Sequence, residues 1–197
     1  MNRLIVIVGP SGVGKTTLVQ ALCAERDFET ALEQHNERPF QALFKDDPKY
    51  ALANQIDYLM ARAEQERALR TGDKPALMDG GLDLDFYGFT RLFHHRGWLT
   101  DAEYDLCRRF HSLTRGLLPL PDVVVALAAS PLIVGQRLAS RDRINIASSE
   151  DAELLSQFID EWLASLPHER VMKLDTSQEE RDYPQSVNAI LKRLEKL

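Results

Sequence analysis

Two stretches of the chain are apolar at every position, Leu4-Ile-Val-Ile-Val8 and Val123-Val-Val-Ala-Leu127. Such runs suit strands of a sheet covered on both faces, and they are far too short to cross a bilayer as helices. Weaker strand signals lie at residues 28–32, 75–79 and 171–174. Elsewhere the pattern changes to a helical period. Over 50–70, Ala53, Ile56, Leu59, Met60 and Ala63 form the apolar stripe, while Glu64, Glu66, Arg67 and Arg70 take polar positions. Further helices are expected at 16–25, 86–93, 149–166 and 183–194. Thr100 with Glu103 three residues on is a capping-box pattern, opening a helix that Pro119 and Pro121 end after about Leu117. Ser130-Pro131 reads as a cap and first turn. The segment holding Pro39 and Phe40 is expected to be a loop, as is the acidic stretch after Gly80-Gly81.

This alternation predicts an α/β three-layer sandwich around a five-stranded parallel sheet. No repeat, Pro/Gly/Ser-rich tract or low-complexity block divides the 197 residues, so one domain over 1–197 is expected. Lys plus Arg number 24 against 30 Asp plus Glu, a formal charge of -6, which does not suit a large nucleic-acid surface. Cys23 and Cys107 are distant and lack metal-ligand spacing, and a core strand opens the chain without an apolar leader. The expectation is a reduced cytoplasmic protein with no membrane or nucleic-acid partner.

Chemistry enters directly behind the first apolar run. Gly9, Pro10, Ser11, Gly12, Val13, Gly14, Lys15 and Thr16 match the phosphate-binding P-loop, with Thr17 continuing into a helix. The glycines let backbone N–H groups turn inward, and the helix N-terminus adds its dipole. Lys15 is expected on the β- and γ-phosphates and Thr16 on magnesium. These residues predict binding of ATP or another nucleoside triphosphate with Mg2+.

Beyond the P-loop, the chain resembles the deoxynucleoside kinase family, similar in fold to thymidylate kinases. The resemblance rests on Glu33, on Asp47-Pro-Lys-Tyr-Ala-Leu-Ala-Asn-Gln55 through Arg62, on the Asp79 to Asp85 loop, and on Pro121-Asp-Val-Val-Val with Ala129-Ser-Pro131 before Arg137. It implies Glu33 as the base that activates the substrate hydroxyl and Gln55 as the reader of the nucleobase. Arg62, two helical turns further on, falls on the substrate side, as do Phe40, Tyr50 and Tyr58. Asp79 and Asp85 are implied in catalysis and substrate holding. Arg137, Arg141 and Arg143 resemble the arginines of the family's lid, here approximately 137–148, with Arg137 catalytic and both Arg137 and Arg141 on the triphosphate.

Two positions depart from the family pattern. Gly80 stands where members commonly carry the arginine after the first aspartate, and Ile146 occupies the approximate place of an acidic residue behind the lid arginines. The missing guanidinium leaves three outcomes: another arginine fills its space (Arg62, Arg91 or Arg109), the acceptor differs, or transfer is weak. The leading expectation is a nucleoside kinase moving the γ-phosphate of ATP to the 5′-hydroxyl of a deoxynucleoside, as in nucleotide salvage. The alternatives are a kinase for a nucleoside monophosphate or another small metabolite, and a nucleotide-responsive binding protein. A homodimer is also compatible with the resemblance.

Overall fold

The computed structural model describes residues 2–31, 38–139, 149–180 and 182–196. Five strands, β1 (Leu4–Val8), β2 (Glu29–Ala31), β3 (Ala76–Asp79), β4 (Val123–Ala128) and β5 (Val171–Asp175), pair in parallel in the order β2-β3-β1-β4-β5. Every residue of β1 is buried, as an all-apolar central strand requires. Successive side chains of a strand point to opposite faces, and the core divides accordingly.

On one face Ile5, Ile7, Val123 and Val125 pack with Leu18 and Leu22 of α1 (Lys15–Glu25) and Val187 and Ile190 of α9 (Pro184–Leu194). On the other, Leu4, Val6, Val124 and Ala126 meet Leu69 of α3 (Ala51–Leu69), Leu84 of α4 (Leu82–Leu84), and Ile159 and Trp162 of α8 (Ser149–Ser165). The result is the expected three-layer α/β sandwich.

Two segments differ from the pattern reading. Residues 39–46, expected as loop, form α2 (Pro39–Asp46), with Pro39 in the first turn, where its missing N–H costs no hydrogen bond. Eight residues are too few for a helical period to stand out. The acidic stretch after Gly81 is also helical: α4 runs directly into a π-helical stretch, Asp85–Thr90, and then into α5 (Arg91–His95). Asp83 and Asp85 are poor helix formers locally, but each is buried against an arginine, so tertiary pairing overrides propensity. The capping box at Thr100 is present at the start of α6 (Asp101–Leu117), and the Ser130 carbonyl and hydroxyl receive the first amides of α7 (Pro131–Ala139). Among the described residues no helix is long and apolar enough to cross a membrane.

Beneath the helical layer lies a buried ionic network. Glu66, on the polar side of the α3 pattern, is 0% exposed. Its Oε1 accepts from Arg70 at 2.8 and 2.9 Å, and Arg115 donates to Oε1 at 2.9 Å and Oε2 at 2.6 Å. Arg115 also donates to Asp83 at 2.9 Å, and both arginines reach the Pro119 carbonyl. The network ties α3, α4 and the end of α6 together. Removing one partner of a buried ion pair strands the others, at a cost of about 3–5 kcal/mol. Glu66→Ala is therefore expected to lower the melting temperature by about 10 °C, whereas the exposed Glu64→Ala shifts stability by no more than about 0.5 kcal/mol. Parallel thermal melts followed by circular dichroism check both.

Candidate active site

The P-loop leaves the carboxyl end of β1, the central strand, where parallel sheets place their ligand crevices. Gly14 supplies the turn into α1 at φ 105°, and a side chain there would collide with the Tyr183 hydroxyl. No side chain caps the first turn of α1 and no acidic residue occupies it, so nothing within the helix itself offsets its positive end toward the loop. Lys15 Nζ donates to the carbonyls of Gly9 and Pro10 at 3.1 and 3.2 Å. Arg137 reaches the loop from α7: Nη1 donates to the Val13 carbonyl at 2.7 Å, Nη2 donates to the Thr176 carbonyl at 3.1 Å, and the guanidinium lies 5.7 Å from the Tyr183 ring centre.

Strand register brings the next group in. Ile7 of β1 is the partner of Asp79 on β3, so the carboxylate ending β3 sits beside the start of the P-loop. Thr16 Oγ1 donates to Asp79 Oδ2 at 2.6 Å. Asp79 is buried, and its Oδ1 has no hydrogen-bond partner among the described residues. A desolvated carboxylate oxygen beside a threonine hydroxyl, facing a phosphate loop, is a donor set suited to Mg2+, which takes oxygen ligands and few of them from protein. Among the described residues no three His, Cys, Asp or Glu side chains gather as a conventional metal cage.

A second group lines the buried stripe of α3. Arg62 Nε donates to Asp85 Oδ2 at 2.9 Å and Nη1 donates to Gln65 at 3.2 Å. At Gly80, φ is 83°, and a Cβ placed there would lie 3.2 Å from Arg62 Nη2. The guanidinium of Arg62 thus occupies the space into which a residue-80 side chain would grow. Arg91 instead pairs with Glu161 at 2.7 Å, over Phe158, and Arg109 is exposed on α6. Gln55, seven residues before Arg62 on α3, is buried, its Oε1 2.9 Å from the hydroxyl of Thr90.

Tyr58 is half-buried beneath the Arg38 guanidinium, which grips Asp57 with two bonds of 2.6 Å; Tyr50 caps α3, and Phe40 is 40% exposed on α2. Glu33, Arg141 and Arg143 lie outside the described residues. An open cleft of about 420 Å³ between Tyr87, His111, Arg115 and Trp162 contains none of the P-loop or α3 site residues.

The model of one family, described as deoxynucleoside kinase, matches residues 5–197. The chain belongs to the deoxynucleoside kinase family. The kinase is 24% identical over 148 residues to deoxyadenosine/deoxycytidine kinase of Bacillus subtilis (strain 168), covering 72% of this chain and 67% of that protein. Its fold matches that of deoxyadenosine kinase from M. mycoides. Against the structure holding the products dCMP and a flexible dCDP, the TM-score is 0.79 at 21% identity, covering 98% of this chain and 100% of the other. Against the structure with bound dATP it is 0.78 at 21% identity, covering 97% and 98%.

Thr90 and Asn54, both buried, were given no role by the pattern reading, and Glu66 and Arg70, read as polar positions of α3, are buried as well. Thr90 lies five residues after Asp85, a spacing that puts two residues on different faces of an α-helix but together in a π turn. Asn54, with a buried Oδ1 lacking a partner among the described residues, carries no signal beyond its place on the α3 stripe. Asp79→Asn is expected to cut phosphate transfer about 100-fold, the scale for losing a metal-orienting group. The same change removes a partly unsatisfied buried charge, so the variant should melt no lower than the parent in calorimetry without nucleotide.

Proposed function

We propose that this kinase transfers the γ-phosphate of ATP, or of another nucleoside triphosphate, to the 5′-hydroxyl of a deoxynucleoside whose base is read by Gln55. The P-loop from Gly9 to Thr17, the amides of α1 and Lys15 hold the triphosphate, and Arg137, with Arg141 in a lid over 137–148, counters charge on its transferring oxygens. Thr16 and Asp79 would hold Mg2+, which would supply charge neutralisation at the phosphates. Glu33 takes the proton of the attacking hydroxyl; β2 ends at Ala31, paired with Met78 beside Asp79, which supports that placement. Phe40, Tyr50 and Tyr58 belong to the acceptor side. Both cysteines are free thiols, which supports a reduced, cytoplasmic setting for this one-domain enzyme.

The observation that carries the acceptor assignment is the pairing of Arg62 with Asp85, both buried. The guanidinium charge is met by a carboxylate, so a pocket built against this pair would be polar but locally balanced. Such a pocket suits the hydroxyls and base of a nucleoside, whereas a monophosphate demands unmatched positive charge. Arg62 also stands where Gly80 leaves room, which supports the first of the three outcomes over weak transfer. The names of the relatives point to deoxyadenosine and deoxycytidine as first acceptors.

Radiolabelled γ-phosphate transfer from ATP, with GTP in parallel, to all common nucleosides and their monophosphates tests the assignment. Labelled nucleoside monophosphates are expected, falling about 100-fold or more in Glu33→Gln, on the scale of one general base. Product from monophosphates alone would move the acceptor, and nucleotide binding without transfer would leave a binding protein.

The proposal extends to a homodimer. Leu106, Leu113 and Leu117, exposed at 43%, 67% and 76%, share one face of α6, with Met60 at 47% on the adjoining α3. Such an apolar stripe favours a partner surface over water. Sedimentation should give twice the chain mass for the parent and a monomer for the double variant Leu113→Glu, Leu117→Glu.

A further inference from the structure

The hydroxyl of Thr90 is fully buried at the junction of the π-helical stretch with α5. Two oxygens lie within reach of it: the backbone carbonyl of Asp85 at 3.0 Å and the amide of Gln55 at 2.9 Å. A hydroxyl carries one hydrogen and accepts through its lone pairs, so it cannot donate to both. With Gln55 turned as it lies, Oε1 toward Thr90, one of the two contacts places oxygen against oxygen without a proton between them. If Gln55 turns its Nε2 toward Thr90 instead, the hydroxyl donates to Asp85 and accepts from Gln55, and both contacts are satisfied. Buried polar groups settle into the arrangement that leaves none unpaired.

We propose that Thr90 is a specificity-determining residue, holding the Gln55 amide by its nitrogen so that its base-reading edge cannot turn over. This rests on Gln55 reading the base, as argued above. One Nε2–H is spent on Thr90. The pocket then meets Oε1 and the remaining N–H in a fixed order. In adenine and cytosine the exocyclic amine donates to Oε1, and the unprotonated ring nitrogen beside it accepts from that N–H. A base with the order reversed, a carbonyl beside a ring N–H as in guanine and thymine, opposes oxygen to oxygen and hydrogen to hydrogen. A glutamine free to flip would serve both classes; Thr90 removes that freedom. It touches no reacting atom and acts through Gln55.

Thr90→Val keeps the shape and deletes the hydroxyl, while Thr90→Ser keeps the hydroxyl and deletes a methyl. The test measures kcat/KM for deoxyadenosine and deoxycytidine against deoxyguanosine and thymidine. The parent is expected to favour the amine-bearing pair, the ratio to fall by about tenfold or more in Thr90→Val, and Thr90→Ser to stay within about twofold of the parent. An unchanged ratio in Thr90→Val overturns the proposal.

A second readout needs no catalysis. In 15N spectra of the intact protein, one of the two Gln55 side-chain amide protons, assigned by its loss in Gln55→Met, should exchange slowly with water in the parent and fast in Thr90→Val. Two fast protons in the parent overturn the proposal even if the kinase is active. Should no nucleoside be phosphorylated while that proton stays protected, the acceptor reading fails together with the specificity role, and the Thr90–Gln55 bond alone survives. The two failures are thereby told apart.

Discussion

The parallel register of β1 against β3 is the constraint on which the rest of this kinase depends. It sets Ile7 opposite Asp79, one residue short of the P-loop, so a carboxylate from one strand and a hydroxyl from the helix after the other close to 2.6 Å. A two-residue slip would keep every apolar side chain on its proper face and still separate the pair. Main-chain hydrogen bonds along two buried strands thus set the distance between that carboxylate and that hydroxyl. Asp79 pays for this position with an oxygen that finds no partner among the described residues, the kind of local cost that functional sites retain.

Helix α3 shows how one element serves site and stability together. Its inward stripe carries Asn54, Gln55, Arg62 and Glu66, all buried, where an apolar series would be the default. Asn54 and Gln55 in its N-terminal half, and Arg62 just past its middle, place hydrogen-bonding groups and a charge along that stripe. Toward its C-terminal end Glu66 is closed off by Arg70 and Arg115. The helix can bury so much polarity because Gln55, Arg62 and Glu66 each find an opposite charge or a hydrogen-bond partner in the π-helical stretch, on α6 or at the end of α3 itself. The π stretch matters here, since it brings Thr90 back over the Asp85 carbonyl while Asp85 faces Arg62.

Gly80 and Arg62 form a compensating pair. Residue 80 adopts a left-handed conformation that disfavours a side chain, and the volume such a side chain would enter holds the Arg62 guanidinium. An arginine from a helix, held by Asp85 and Gln65, is less mobile than one at a strand end. A guanidinium therefore stands beside residue 80 although residue 80 itself carries no side chain.

By itself the sequence determined the strand-forming runs, the P-loop and its helix, the capping box at Thr100 and the family resemblance through Gln55, Arg62, Asp79 and Asp85. The runs, the loop and the cap are encoded by near neighbours, as an unbroken apolar run, a glycine spacing or a capping pair, so local physics suffices to read them, whereas Gln55, Arg62, Asp79 and Asp85 stand out only through the resemblance. The tertiary structure alone decided that residues 39–46 and the acidic stretch after Gly81 are helical, that Arg62 and neither Arg91 nor Arg109 fills the space at Gly80, and that Thr90 meets Gln55. Those outcomes depend on which distant group neutralises a charge or shares a proton. Contacts across 23 residues between Arg62 and Asp85, or 35 between Gln55 and Thr90, leave no periodic trace in the chain that makes them.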